Sequence, residues 1–172
     1  MVAGYEMSAI YLIDTSYLIE LYKIPGESGE SAIQEIHMRF EIAIINKSRL
    51  YVPLPCIFEL GNHIAKIQDG RGRRELAQKL FLDVKDSVET SKPWITLPSV
   101  EIGEALRRLC KAFSENYQRL RIGLTDSFII EEANRLKRDQ DNKFGFKVHI
   151  WTKDKALKTY EPDTEENPFT GS

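Results

Sequence analysis

The sequence predicts an α/β fold, with helices on both faces of a mostly parallel sheet of four or five strands. The apolar run Ala9–Ile13 is short and continuous, as in a strand buried on both sides. Helix-length stretches with apolar residues at helical spacing separate it from the later strand candidates, and only parallel neighbours need crossovers that long. Of the 172 residues, 42% are hydrophobic, enough for the core of one ordinary domain.

After that first strand, Asp14-Thr15-Ser16 suits a helix start, and Tyr17 to Tyr22 reads as a short helix stopped near Pro25-Gly26. Ile33, Ile36, Phe40, Ile44 and Ile45 mark a helix from Ser31 to Asn46. Leu50 to Leu54 is the second strand, with Pro53 at its end or on an edge, and Pro55 fits the first turn of the next helix. That helix carries Ile57, Leu60, Ile64 and Ile67 on one face. Asp69-Gly-Arg-Gly-Arg-Arg74 reads as a loop, followed by a helix bearing Leu76, Leu80, Val84 and Val88. Trp94–Leu97 is the third strand, and Ser99 can cap a helix bearing Ile102, Leu106, Leu109 and Phe113. Residues 115–123 carry no clear period. Thr125 can cap a helix carrying Ile129, Ala133 and Leu136, and Phe146–Trp151 is the fourth strand. Residues 1–160 are therefore expected to form a single domain. The polar, proline-interrupted residues 161–172 are expected to be a mobile tail.

Lys plus Arg number 24 and Asp plus Glu 26, a net charge of −2 that argues against a histone-like nucleic-acid binder and still allows a local basic patch. Cys56 and Cys110 lie in helix-like segments without a metal-ligand pattern, so neither a disulfide framework nor a zinc finger organises the fold. They read as buried thiols. Ala9–Ile13 is far too short to cross a membrane, and no basic region precedes it as in a signal peptide. A soluble protein of the cytoplasm is expected.

In parallel sheets ligands bind beyond the carboxyl ends of the strands. Acidic residues stand there repeatedly: Asp14 after the first strand, Glu59 in the helix after the second, Asp126 at a helix start, and Asp154 after the fourth. Each alone is explained by the helix dipole, which favours acids at helix N-termini. Together they would repel one another, and such a cluster makes most sense around a divalent cation. Oxygen ligands without clustered His or Cys point to Mg²⁺ or Mn²⁺, a metal that activates water and stabilises charge on a phosphodiester.

The segments Tyr11-Leu-Ile-Asp14-Thr-Ser16, Pro55-Cys-Ile-Phe-Glu59-Leu, Leu124-Thr-Asp126-Ser-Phe-Ile-Ile-Glu-Glu-Ala133 and Trp151-Thr-Lys-Asp154 resemble the PIN-domain ribonuclease family over residues 9–158. Small single-domain members are typically toxins of toxin–antitoxin pairs (VapC-like). The resemblance implies a three-layer α/β/α sandwich with strand order 3-2-1-4-5. It also implies a metal site of Asp14, Glu59, Asp126 and Asp154, supported by the hydroxyls of Ser16 and Thr152. The implied activity is Mg²⁺- or Mn²⁺-dependent hydrolysis of RNA, with an antitoxin protein and a homodimer as partners. A fifth strand is a poor fit to Leu157–Pro162.

Other features stay open at this level. Asp69–Arg74 suits either RNA phosphates or a solvated turn, and His63, one turn after Glu59, is within reach of a metal there. His37 and His149 have no carboxylate pattern around them. Arg107, Arg108 and Lys111, like Lys137 and Arg138, read as wet helix faces. Tyr17, Leu18, Leu21 and Tyr22 are core or partner surface, and the helical residues around Tyr17–Tyr22 and Ile33–Phe40 are the candidate dimer or antitoxin surface. Two other functions compete. One is a non-catalytic α/β RNA-binding or regulatory module. The other is a haloacid-dehalogenase-like phosphatase with Asp14 as nucleophile, although Ser16 stands where that family has a second Asp.

Overall fold

The computed structural model describes residues 8–98, 101–141 and 145–171. Its centre is β1 (Ile10–Ile13), a strand with Ile10, Leu12 and Ile13 fully buried. β2 (Arg49–Pro53) pairs in parallel with one side of β1, and β4 (Val148–Trp151) with the other. β3 (Ile95–Leu97) extends the sheet beyond β2, again in parallel. Among the described residues the order is β3-β2-β1-β4, so Pro53 closes an internal strand and takes no edge position.

α1 (Thr15–Leu21) and α2 (Glu30–Ile45) connect β1 to β2, and α3 (Leu54–Ala65) and α4 (Gly70–Thr90) connect β2 to β3. α5 (Ile102–Ala112), a π-helical turn (Phe113–Tyr117) and α6 (Leu124–Asp141) return the chain across the sheet to β4. Right-handed crossovers put the first two connections on one face and the third, which runs the opposite way, on the other. The result is the expected three-layer α/β/α sandwich. Its direction of winding reverses between β1 and β4, and the register pairs Ile13 with Trp151. Asp14 and Thr152 therefore leave the sheet side by side, at the position where open α/β sheets leave a crevice.

The structure corrects several local expectations. Asp69–Arg74 is not a loop: the Asp69 carboxylate accepts from Arg71 N and from Gly72 N (2.7 Å), which caps α4 and draws both glycines into it. Residues 113–117 continue α5 as the π-helical turn, and Tyr117 donates to Glu131 Oε1 of α6 at 2.6 Å. Cys56 is buried as expected, whereas Cys110 is exposed. Tyr17, Leu18 and Tyr22 belong to the core, which removes most of α1 as a partner surface. Ser99 lies outside the described residues. No helix among the described residues is long and apolar enough to cross a membrane.

Residues 161–172, expected to be a mobile tail, include a segment with partners on the sheet. After α7 (Lys155–Lys158), residues 161–165 lie along the outer edge of β4 where a fifth strand would pair. Val148 N donates to Asp163 Oδ2 (2.7 Å), Val148 O accepts from Asp163 N (3.2 Å) and Ile150 N donates to Glu161 Oε2 (3.2 Å). Lys158 Nζ donates to Ile150 O (2.9 Å), Glu161 Oε2 (2.7 Å) and Glu165 Oε2 (2.6 Å). Polarity that reads as disorder in the sequence thus satisfies an open sheet edge. Burial raises the Glu161 carboxyl, but hydrogen bonds from His149 and Lys158 outweigh it and hold the group below its ordinary range. Lys158→Met strands two buried carboxylates and is expected to cost about 3 kcal/mol in urea unfolding. Arg71→Met, which breaks the exposed Arg71–Glu75 pair, is expected to cost under about 0.5 kcal/mol.

Candidate active site

Asp14 closes β1 and caps α1. Its Oδ2 accepts from Ser16 Oγ at 2.9 Å and from Thr152 Oγ1 at 2.8 Å. Only 8% of Asp14 is exposed. Burial raises its carboxyl above the ordinary range despite the hydrogen bonds from Thr152 and Ser16, which favour the charged form. Thr152, itself buried, also accepts from Asp154 N at 3.0 Å and so joins the two acids. Ser16 and Thr152 are therefore holders of Asp14.

Glu59 occupies the second turn of α3 and is gripped from two sides. Thr15 Oγ1 of α1 donates to its Oε2 at 2.6 Å, and Thr125 Oγ1 of α6 donates to its Oε1 at 2.9 Å. The sequence missed both threonines. Thr125 reads as a helix cap, but α6 begins one residue earlier, Ser127 N bonds to Gly123 O, and the hydroxyl is free for Glu59. The one local signal is a hydroxyl residue directly beside an acid, as in Asp14-Thr15 and Thr125-Asp126.

Asp126 follows in the first turn of α6 and is half-buried. Among the described residues its side chain has no hydrogen-bond or ion-pair partner. Burial first, and then the charges of Asp14, Asp154 and Glu59, push it up to about 6. Asp126 thus feels the charges of the other three acids at the crevice of the β1–β4 reversal. Asp154 is exposed, and its Oδ1 caps α7 by accepting from Ala156 N (2.7 Å) and Leu157 N (3.1 Å).

The acids are neighbours without forming a cage. Among the described residues no three His, Cys, Asp or Glu side chains converge as metal ligands would. The donor set fits a hard divalent cation nonetheless. It is all oxygen, Asp126 is unpaired, and Mg²⁺ keeps several waters while binding one or two carboxylates directly. A softer, imidazole-bound metal does not fit, because His63 turns away to Glu27, with Nδ1 2.5 Å from Oε2. Cys56 is buried, and its thiol is pushed well above the ordinary value by burial and then by Asp14, which leaves it inert. Beside the acids, Phe58, Ile102, Leu106, Leu124 and Phe128 line an apolar cleft of about 260 Å³ between α3, α5 and α6.

No protein-family model matches this chain, and no curated protein sequence matches it.

Asp126→Asn separates a site acid from a capping acid. A carboxyl raised in the folded state holds its proton there while the unfolded chain has lost it, so stability falls as pH rises from about 4 to about 6. The full penalty persists at neutral pH, about 1–2 kcal/mol once discounted for solvent screening of this half-exposed group. The asparagine variant is expected to melt higher than the parent at pH 7 in EDTA, and no higher at about pH 3.5. Thermal melts across pH check this. A helix-dipole role alone gives the opposite sign at neutral pH.

Proposed function

We propose that this protein is a Mg²⁺- or Mn²⁺-dependent endoribonuclease of the PIN-domain type, acting in the cytoplasm as the toxin of a toxin–antitoxin pair. The observation that carries the reading is the coupling of Asp126 to Asp14, Glu59 and Asp154 at the carboxyl ends of parallel strands. Four carboxylates held close at a crevice cost folding energy, and a bound cation relieves that cost. When bound, the cation activates water and stabilises charge developing on the phosphodiester. Asp14, Glu59, Asp126 and Asp154 would hold it, some directly and some through water.

The chain's own groups have separate duties in this reading. Ser16 and Thr152 donate to Oδ2 of Asp14, leaving Oδ1 without a competing side-chain hydroxyl. Thr15 and Thr125 fix the orientation of Glu59 by holding both oxygens, so its charge acts through the field and through water. Asp126 is the acid with both oxygens uncommitted, and the reading depends on it most.

That no three acids converge as a preformed cage among the described residues favours the second reading, an RNA-binding module whose acids are structural. Single-stranded RNA incubated with the purified protein in Mn²⁺, and again in EDTA, decides between them. Cleavage in Mn²⁺ that EDTA abolishes is expected, and Asp126→Asn is expected to lower it about 100-fold or more. Cleavage surviving exhaustive chelation removes the metal reading. Intact RNA alongside hydrolysed small phosphomonoesters returns the phosphatase.

A protein partner belongs to the proposal. Its support is the apolar cleft, where Phe58 is 64% exposed, Ile102 59%, Leu106 51% and Leu124 42%. A homodimer through this cleft is expected in light scattering at high micromolar concentration, and Leu106→Glu is expected to shift it to monomer. An antitoxin would then meet the dimer elsewhere, near the acids, where a donated Arg could pair with them.

A further inference from the structure

The turn that carries Thr152 and Asp154 is gripped by α1 at two points one helical turn apart. Ser16 Oγ accepts from the backbone N of Lys153 at 2.9 Å. Glu20, four residues further along the same face, receives the ammonium of Lys153 on Oε1, and its other oxygen accepts from Gly29 N at 3.0 Å. Glu20 is only 1% exposed and the Lys153 side chain 28%, so a half-buried ammonium answers a fully buried carboxylate. The Lys153 stem lies beneath Gly171, whose missing side chain would begin 3.5 Å from Cδ.

Stability alone is a poor reason for such a pair, since well-packed apolar residues of similar volume are often as stable. Its geometry supplies another. Residue 153 stands between Thr152, which donates to Asp14 Oδ2, and Asp154, whose N donates to Thr152. Pinning it at both its backbone and its side-chain nitrogen fixes Asp154 relative to Asp14 across the β1–β4 crevice.

We propose that Glu20 and Lys153 are positioning residues that set the separation of Asp154 from Asp14 and thereby the affinity of the acidic site for a divalent cation. This rests on the metal-dependent reading above and adds to it two residues that touch neither metal nor substrate.

The test is Mn²⁺ binding, followed by the loss of the free-ion electron-spin-resonance signal, on the wild type and on Glu20→Gln, Lys153→Met, Lys153→Arg and Lys158→Met. Loss of the clamp is expected to weaken Mn²⁺ binding about 10-fold or more in Glu20→Gln and in Lys153→Met, the usual scale for residues that orient metal ligands. Lys153→Arg keeps the ion pair and is expected to bind nearly as the wild type. Lys158→Met loosens the far edge of β4 and is expected to lose stability with unchanged Mn²⁺ affinity. The sign for Lys153→Met is decisive. If Lys153 acted only as a nearby positive charge, removing it would tighten Mn²⁺ binding, whereas a lost clamp weakens it. Tighter or unchanged binding in Lys153→Met overturns the proposal, as does equal weakening in Lys158→Met, which would reveal general loosening. A wild type that binds no Mn²⁺ fails earlier and differently, because it removes the metal reading on which the clamp depends.

Discussion

A carboxylate buried where the sheet reverses its winding is the constraint on which the rest of this structure depends. Asp14 sits at the end of the central strand, and one of its oxygens gathers donors from α1 and from the residue after β4. Without those donors a charge there would be unsatisfied in a low-dielectric interior, a cost of several kcal/mol. The hydroxyls of Ser16 and Thr152 are therefore conditions for Asp14 to be present at all. They also weld the two strands flanking the reversal to the same helix start. The parallel register, with Ile13 level with Trp151, places those donors within reach.

The same logic of polar groups finding partners explains the outer edge of β4. An open parallel strand presents unpaired amides and carbonyls, and here the side chains of Lys158, Glu161 and Asp163 answer them in place of a fifth strand. Side-chain partners are held by charge as well as by hydrogen bonds. Glu165 joins them, accepting from Lys158 and from the indole of Trp151. Trp151 in turn stacks 4.1 Å from the Tyr11 ring and packs against Phe40 of α2. The C-terminal segment thus covers the outer edge of β4 and backs its last residue, Trp151.

The strands were legible in the sequence as short apolar runs, and two of the candidate acids were singled out because each follows one. Asp14 after Ile13 and Asp154 after Trp151-Thr152-Lys153 needed nothing but the rule that parallel sheets act at their carboxyl ends. The misreadings share a cause too. Gly70 and Gly72 suggest a loop by propensity, but one Asp69 side chain satisfies two helix-start amides and overrides them. Thr125 has the residue type of a cap and spends its hydroxyl on Glu59, a partner 66 residues away. Glu20 and Lys153 each resemble ordinary surface charge, and only the fold reveals that they meet. Local pattern reports what a residue is able to do, and tertiary contact decides which of those options it uses.

The acids themselves differ in how far the protein has committed them, and that difference orders their roles. Glu59 has both oxygens taken by threonines, Asp154 spends one on capping α7, and Asp14 spends one on two hydroxyls. Asp126 spends none among the described residues, yet it is half-buried amid the other three charges. A structural role for this group would have drawn a donor toward it, as happened at every other acid in the crevice. A half-buried carboxylate left without a donor beside three other charges is tolerated if its partner arrives from solution. In the proposed reading a cation is the partner that all four would share, and its binding would turn their repulsion into affinity. On this argument the unpaired state of Asp126 and the tight holding of its neighbours are complementary. In that reading the neighbours fix the shape of the crevice, and Asp126 is the acid left to meet the ligand.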